Sequence, residues 1–272
     1  MIEIILYILC GSLSGFLAGL LGIGGGLVVV PSLVFLLPKF GFPSNYVMHV
    51  AVGTSLSLIV MTSISSSYAH HRKQAVNWGV FKKLFIALIV GALIGAFIAD
   101  KLGSLYLEAL FGFFVWYIAY QLIRKKPTAS QEESTHLPST MKLNIHGILI
   151  SAFCTLLGMW GGSLFVPYFS HYGMHMRRAV ATSSACGFPI AVAGVIGLMS
   201  VGVGNALLPK GTVGYVYLPA FFSMVIPSVF IAPWGAKIAH QISMVLLRRI
   251  FGVFLVCVGI DMLWKPVQAL FF

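Results

Sequence analysis

Apolar residues fill the chain in ten long runs, at about 2–21, 27–38, 49–69, 79–99, 104–124, 144–158, 163–173, 179–201, 213–236 and 242–264. Polar residues gather between the runs rather than alternating within them. A helical crossing of a bilayer takes about 20 apolar residues, so most runs predict one crossing each. The runs at 27–38 and 163–173 are too short for that. Yet 2–38 and 144–173, each taken whole, are too long for one helix. Each of these stretches is predicted to be a broken hairpin, two helical pieces meeting at a glycine cluster.

The two breaks share a pattern. Residues 20–31 read LLGIGGGLVVVP and residues 156–167 read LLGMWGGSLFVP. Glycine weakens a helix by about 1 kcal/mol per residue relative to alanine. Irregular backbone survives in hydrocarbon only where protein buries it or it lines a wet cavity. Matched breaks in two halves of a membrane chain point to a transport site, although isolated glycines serve close helix packing equally well.

Composition agrees with this reading. Of 272 residues, 59% are hydrophobic and 8% charged, too apolar for a soluble domain of this size. The fold class expected is an all-α integral membrane protein, a polytopic bundle embedded in the lipid bilayer. The net charge of +11 does not point to nucleic acid, because Lys and Arg lie between apolar runs, where they set topology. The N-terminus lacks a basic region before its apolar run, so no cleaved signal peptide is expected. Cys10, Cys154, Cys186 and Cys257 have no ligand-like spacing and read as small packed side chains.

Charge also tests the hairpins. If each goes in and returns, Lys39, Lys101, Lys210 and Lys265 lie on one side and the other 13 of the 17 basic residues on the other. The positive-inside rule makes the second side cytoplasmic, with both termini outside and the chain in the cell (inner) membrane. Five elements per half then give the halves opposite orientations. The first repeat is placed at 1–124 and the second at 144–272, joined by a polar cytoplasmic linker at 125–143. Further pairs fit: Ala51-Val-Gly-Thr-Ser55 with Ala179-Val-Ala-Thr-Ser183, and Gly95-Ala-Phe-Ile-Ala99 with Gly235-Ala-Lys-Ile-Ala239.

The doubled glycine–proline pattern, the Ala-Val-Gly-Thr-Ser segment and the Gly-Ala-x-Ile-Ala segment, in this order and twice, resemble the sulfite exporter TauE/SafE family. The resemblance spans almost the whole chain. It implies transport of a small sulfur-containing anion such as sulfite or a sulfonate, with export as the expected direction and no cofactor. The second copy departs from the pattern, with Trp160 at the place of Gly24 and Ser163 at the place of Leu27. Unequal contributions from the two hairpins follow.

The residues themselves suit an anion. A break exposes N–H groups at the start of the following half-helix, and these with the helix dipole attract negative charge. The candidate binding residues are Gly24, Gly25, Gly26, Gly161, Gly162 and Ser163, with hydroxyls from Thr54, Ser55, Thr182 and Ser183. Back-bonding to a carbonyl one turn earlier is the competing role for each hydroxyl. His49 and Arg177 precede the two Thr-Ser segments and are candidate gates, against an interfacial role in which they reach toward water. His171 and His175 sit four apart without an acidic or cysteine partner, so no metal is expected. No acidic residue falls at mid-membrane, which favours uniport or potential-driven export over proton coupling. A homo-oligomer is compatible with all of this. Two other classes remain: a membrane assembly factor that binds a partner protein, and an intramembrane hydrolase using Ser163. The hydrolase lacks a base in a later apolar run.

Overall fold

The computed structural model describes residues 2–21, 25–124, 138–239 and 244–271. Among the described residues the polar and apolar runs become ten α-helices. They are α1 (Ile2–Leu21), α2 (Gly26–Leu36), α3 (Val47–Arg72), α4 (Trp78–Lys101) and α5 (Ser104–Arg124), then α6 (Thr140–Leu156), α7 (Gly162–His171), α8 (Met176–Gly202), α9 (Leu218–Ala239) and α10 (Met244–Phe271). Between α8 and α9 stands a small antiparallel hairpin, β1 (Thr212–Val213) and β2 (Val216–Tyr217), which pairs Thr212 with Tyr217. Among the described residues, seven helices are long and apolar enough to cross a membrane. Most of the linker expected at 125–143 lies outside the described residues, as does Gly24.

Helix ends follow local chemistry. Asn77 caps α4 by accepting the Val80 N–H at 3.2 Å, and its own N–H is bound elsewhere, as described below. His175 caps α8, its Nδ1 accepting the Arg177 N–H at 3.3 Å. A residue with a short acceptor before a helix satisfies one of the orphan donors of the first turn. The short helices α2 and α7 have 11 and 10 residues, which is about 15–16 Å of rise. Each therefore covers only about half of a hydrocarbon core ~30 Å thick.

The bundle is held by close backbone approach at small residues, the usual device where lipid removes the hydrophobic drive between helices. α1 packs along α9 and α6 packs along α4, each over most of its length. A Cβ at Gly95 would run into the Ala152 carbonyl, and one at Gly235 into the Phe16 carbonyl. α5 pairs with α10, where Gly112 meets Leu263 and Gly252 meets Ile123. α3 and α8 cross at the centre. Residues 47–59 of α3 are all buried, whereas from Val60 to Arg72 only Ser63 is. The outer surface is apolar, with Ile86 74% and Phe230 72% exposed, as lipid-facing helices require.

The β-hairpin folds down between α3 and α8. The Tyr215 N–H donates to the Leu198 carbonyl at 3.3 Å, and Gly53 lies directly under the Tyr215 carbonyl. Two acids tie its rings from above. The Tyr215 hydroxyl donates to Asp100 and the Tyr217 hydroxyl to Glu3, both at 2.8 Å. Burial, then the hydrogen bond to Glu3 and its charge, push the Tyr217 phenol up to about 12. Burial and Asp100 act on Tyr215 in the same direction. Of the four cysteines, Cys154 and Cys186 are buried, but Cys257 is exposed on α10.

Candidate functional site

The two glycine breaks touch. A Cβ on Gly26 would lie 2.7 Å from the Gly158 carbonyl oxygen and 3.1 Å from the Met159 Cα. Any larger residue would force the hairpins apart. Gly158 itself has φ +62, a conformation that suits glycine, and it turns its carbonyl toward α3. The Ser55 hydroxyl donates to that carbonyl at 2.8 Å. Ser55 thus joins the helix after the first break to the turn at the second.

Beside this junction a narrow cleft, with room for about one water, lies among α1, α2, α3 and α9. Its polar wall is Ser14, Ser55, Thr62 and Ser228, and Gly25 and Gly26 form its end. Val29, Leu58 and Ile59 complete it. No lining residue carries a charge. The first turn of α2 begins here, and a helix start leaves N–H groups without intrahelical partners. The Gly25 carbonyl accepts from Val28 and Val29 and, at 3.3 Å, from the Ser14 hydroxyl. The Thr62 hydroxyl reaches back to the Ile59 carbonyl at 3.3 Å. Ser228 differs: it is 3% exposed, and its hydroxyl has no partner among the described residues.

The cleft brings together Gly25, Gly26 and Ser55 from the residues singled out in the sequence. It leaves the others elsewhere. Thr54 is fully buried, and its oxygen accepts the Tyr217 N–H at 3.0 Å. Thr182 likewise accepts the Asn77 N–H at 3.0 Å. Each threonine therefore holds the residue just before a helix in the other half of the chain, α9 for Thr54 and α4 for Thr182. Ser183 bonds back to the Val180 carbonyl at 2.9 Å. Gly161 and Gly162 start α7, and the Gly161 carbonyl accepts from Leu164 and Phe165. The Ser163 hydroxyl donates to the Trp160 carbonyl at 3.3 Å, so it is not presented as a nucleophile. His49 is 2% exposed and lies under the β-hairpin, while Arg177 is exposed in the first turn of α8. Neither lines the cleft.

Ser14, Thr62, Ser228 and the Gly158 carbonyl were missed by sequence reasoning. A comparison of the halves could have found three of them. Shifted by the offsets of the doubled motifs, Ser14, Thr62 and Ser228 fall on Ile150, Ile190 and Leu88. The position of Gly24 holds Trp160, 9% exposed, whose indole lies against Gly187. Hydroxyls line the region of the first break, and apolar side chains occupy the matching positions around the second.

This is a polytopic helical membrane transporter in build: crossing helices, two half-depth helices, and a small polar cleft where they meet. The chain belongs to the sulfite exporter TauE/SafE family, whose model matches residues 7–262. A "probable membrane transporter protein" of Haemophilus influenzae is 34% identical over 264 residues, covering 96% of this chain and 98% of that one. Another, from Methanocaldococcus jannaschii, is 30% identical over 265 residues, covering 95% and 94%. A third, from Bacillus subtilis, is 25% identical over 282 residues. No solved structure matches the chain.

Proposed function

We propose that the protein exports a small sulfur-containing oxyanion, sulfite or an organosulfonate, across the cell's inner membrane. The observation that carries this is the neutral, hydroxyl-lined cleft at the start of α2, where the two breaks meet. Donors there are backbone N–H groups and the free Ser228 hydroxyl, aided by the positive end of the helix dipole. Moving an ion out of water costs energy that grows with the square of its charge. A site without a cationic side chain therefore suits a monoanion better than a dianion. An inside-negative potential then drives a monoanion outward by about 2.3 kcal/mol per 100 mV.

Alternating access would run through two inverted repeats, with both termini outside. Three things support that arrangement. The basic residues divide 13 to 4 when each hairpin returns to its own side. Thr54 and Thr182 make reciprocal bonds to the opposite half. Gly95 and Gly235 press on matched carbonyls, Ala152 and Phe16. The anion would enter from the basic face along the exposed second half of α3, past Ser65 and Ser66. The β-hairpin would close the other end. Thr54 and Thr182 then position the gates, and Gly25, Gly26, Ser14, Ser55, Thr62 and Ser228 bind.

The test is flux in proteoliposomes against sulfite, methanesulfonate, sulfate, thiosulfate and taurine. Monoanions should move fastest, and the zwitterion taurine slowly. A panel in which nothing moves, or in which sulfate outruns the monoanions, would sink the reading.

A further inference from the structure

We infer that His49 is a proton-binding site through which transport is coupled to the proton gradient, an inference that rests on the transport reading above. Sequence reasoning looked for a buried carboxylate and, finding none, favoured uniport. The group at the closed gate is an imidazole instead.

Its geometry fixes its chemistry. Nε2 lies 2.9 Å from the Ala99 carbonyl and 3.0 Å from the Leu102 carbonyl. Carbonyl oxygens only accept, so Nε2 carries a hydrogen and donates to both. In the neutral ring Nδ1 is then a bare lone pair. Nδ1 is buried and has no partner among the described residues. A buried acceptor left unpaired costs free energy, which an ordered water or an added proton would remove.

Burial disfavours a positive ring, and three features around it oppose that cost. Both carbonyls belong to the C-terminal end of α4, the negative pole of a helix. Asp100 stands between them in sequence and accepts the Tyr215 hydroxyl. The Tyr215 ring centroid is 5.0 Å from that of His49 and the Tyr46 centroid 5.9 Å, within reach of cation–π attraction. Among the described residues, the other charges on the neighbouring elements include Lys101, 3.8 Å from Asp100, Glu3, which holds Tyr217 on the far side of the hairpin, and Lys39 in the 3-10 turn that follows α2. Glu108, buried in the first turns of α5, is the remaining acid near this face on that helix.

Access to Nδ1 depends on the hairpin. Tyr215 packs over the imidazole, while Tyr217, two residues on, is tied to Thr54. Thr54 and Ser55 follow His49 by five and six residues on the same helix, a rise of about 8–9 Å. When the hairpin lifts to open the site to that side, water reaches Nδ1. A hydronium ion in that water gives its proton to the lone pair, one O–H bond breaking as the N–H bond forms, and the ring passes from neutral to +1. Closing the hairpin seals the proton in; the reverse step, to water on the cytoplasmic side when the site opens there, releases it. Anion release and proton capture thus use one movement.

The experiment uses the full chain in proteoliposomes with methanesulfonate, a probe whose charge does not change with pH. Exchange at equal pH on both sides reads transport, and flux under an imposed pH gradient reads coupling. The wild type should show both. His49→Gln should still exchange, because the amide can donate to the carbonyls, and should lose the gradient response. Asp100→Asn should keep the response with its pH midpoint lowered, since a nearby carboxylate favours the charged ring. Wild-type exchange with no gradient response would overturn the coupling alone. So would a His49→Gln protein that still responds, or an unmoved midpoint in Asp100→Asn. No exchange by the wild type would overturn the transport reading and the coupling together.

Discussion

Removing one hydroxyl from the cleft should separate binding from folding. Ser228 is buried, faces the cleft and has no protein partner. Ser228→Ala therefore breaks no internal hydrogen bond. It deletes one donor to a bound anion, and a hydrogen bond to a charged group contributes about 1.5–3 kcal/mol. That corresponds to a loss of about 10- to 100-fold in affinity. Thr54→Val is the matched control. It keeps the shape but strips the acceptor from the buried Tyr217 N–H, and an unpaired buried donor costs about 1–3 kcal/mol of stability. Anion affinity can be measured by calorimetry in detergent, and stability by the midpoint of thermal unfolding. Ser228→Ala should lower affinity at an unchanged midpoint, and Thr54→Val should lower the midpoint. If Ser228→Ala binds as tightly as the wild type, the cleft is not the anion site and the reasoning from its lining fails.

Other perturbations test the frame around it. Gly26→Leu places a side chain against the Gly158 carbonyl and should cut flux at least about tenfold while the protein still inserts; normal flux would show that the breaks need not touch. Tyr217→Phe removes the bond to Glu3. The folded phenol lies above its unfolded value of about 10, so this stabilisation is complete below pH 10 and is lost only as pH climbs through about 12. The stability gap to the wild type should accordingly stay constant up to about pH 9 and shrink between about pH 10 and pH 12; a gap that does not change across that range would mean an ordinary phenol. Reporters inserted after residue 130 and at Gly204 should read opposite sides of the membrane; the same side for both would rule out inverted halves.

The helical membrane fold was legible because apolar runs of known length leave few choices, and because each break was written twice. α1 ends at Leu21 and α2 begins at Gly26, which is where the glycines fall. The site was legible only in part. Gly25, Gly26 and Ser55 meet at the cleft, but Thr54, the neighbour of Ser55, turns to the β-hairpin. Adjacent helical residues point about 100° apart, so a motif that names both cannot say which one faces the substrate. Ser14 and Ser228 were hidden for another reason. Each is a lone hydroxyl in an apolar helix, and what it faces depends on a partner more than 200 residues away.

The packing of α1 on α9 has a consequence for how the chain is made. α1 seats mainly against α9, with a lesser contact to α2. About 200 residues separate them, and a ribosome adding about 5–20 residues per second takes roughly 10–40 s to cover that distance. Through that interval Gly11 and Gly15, which end up against Met224 and Ser228, have only lipid or insertion machinery beside them. α1 is synthesised well before the helix on which it mainly packs. Truncated chains that stop before α9 should expose that small-residue face, and the quality-control proteases of the membrane would meet it there.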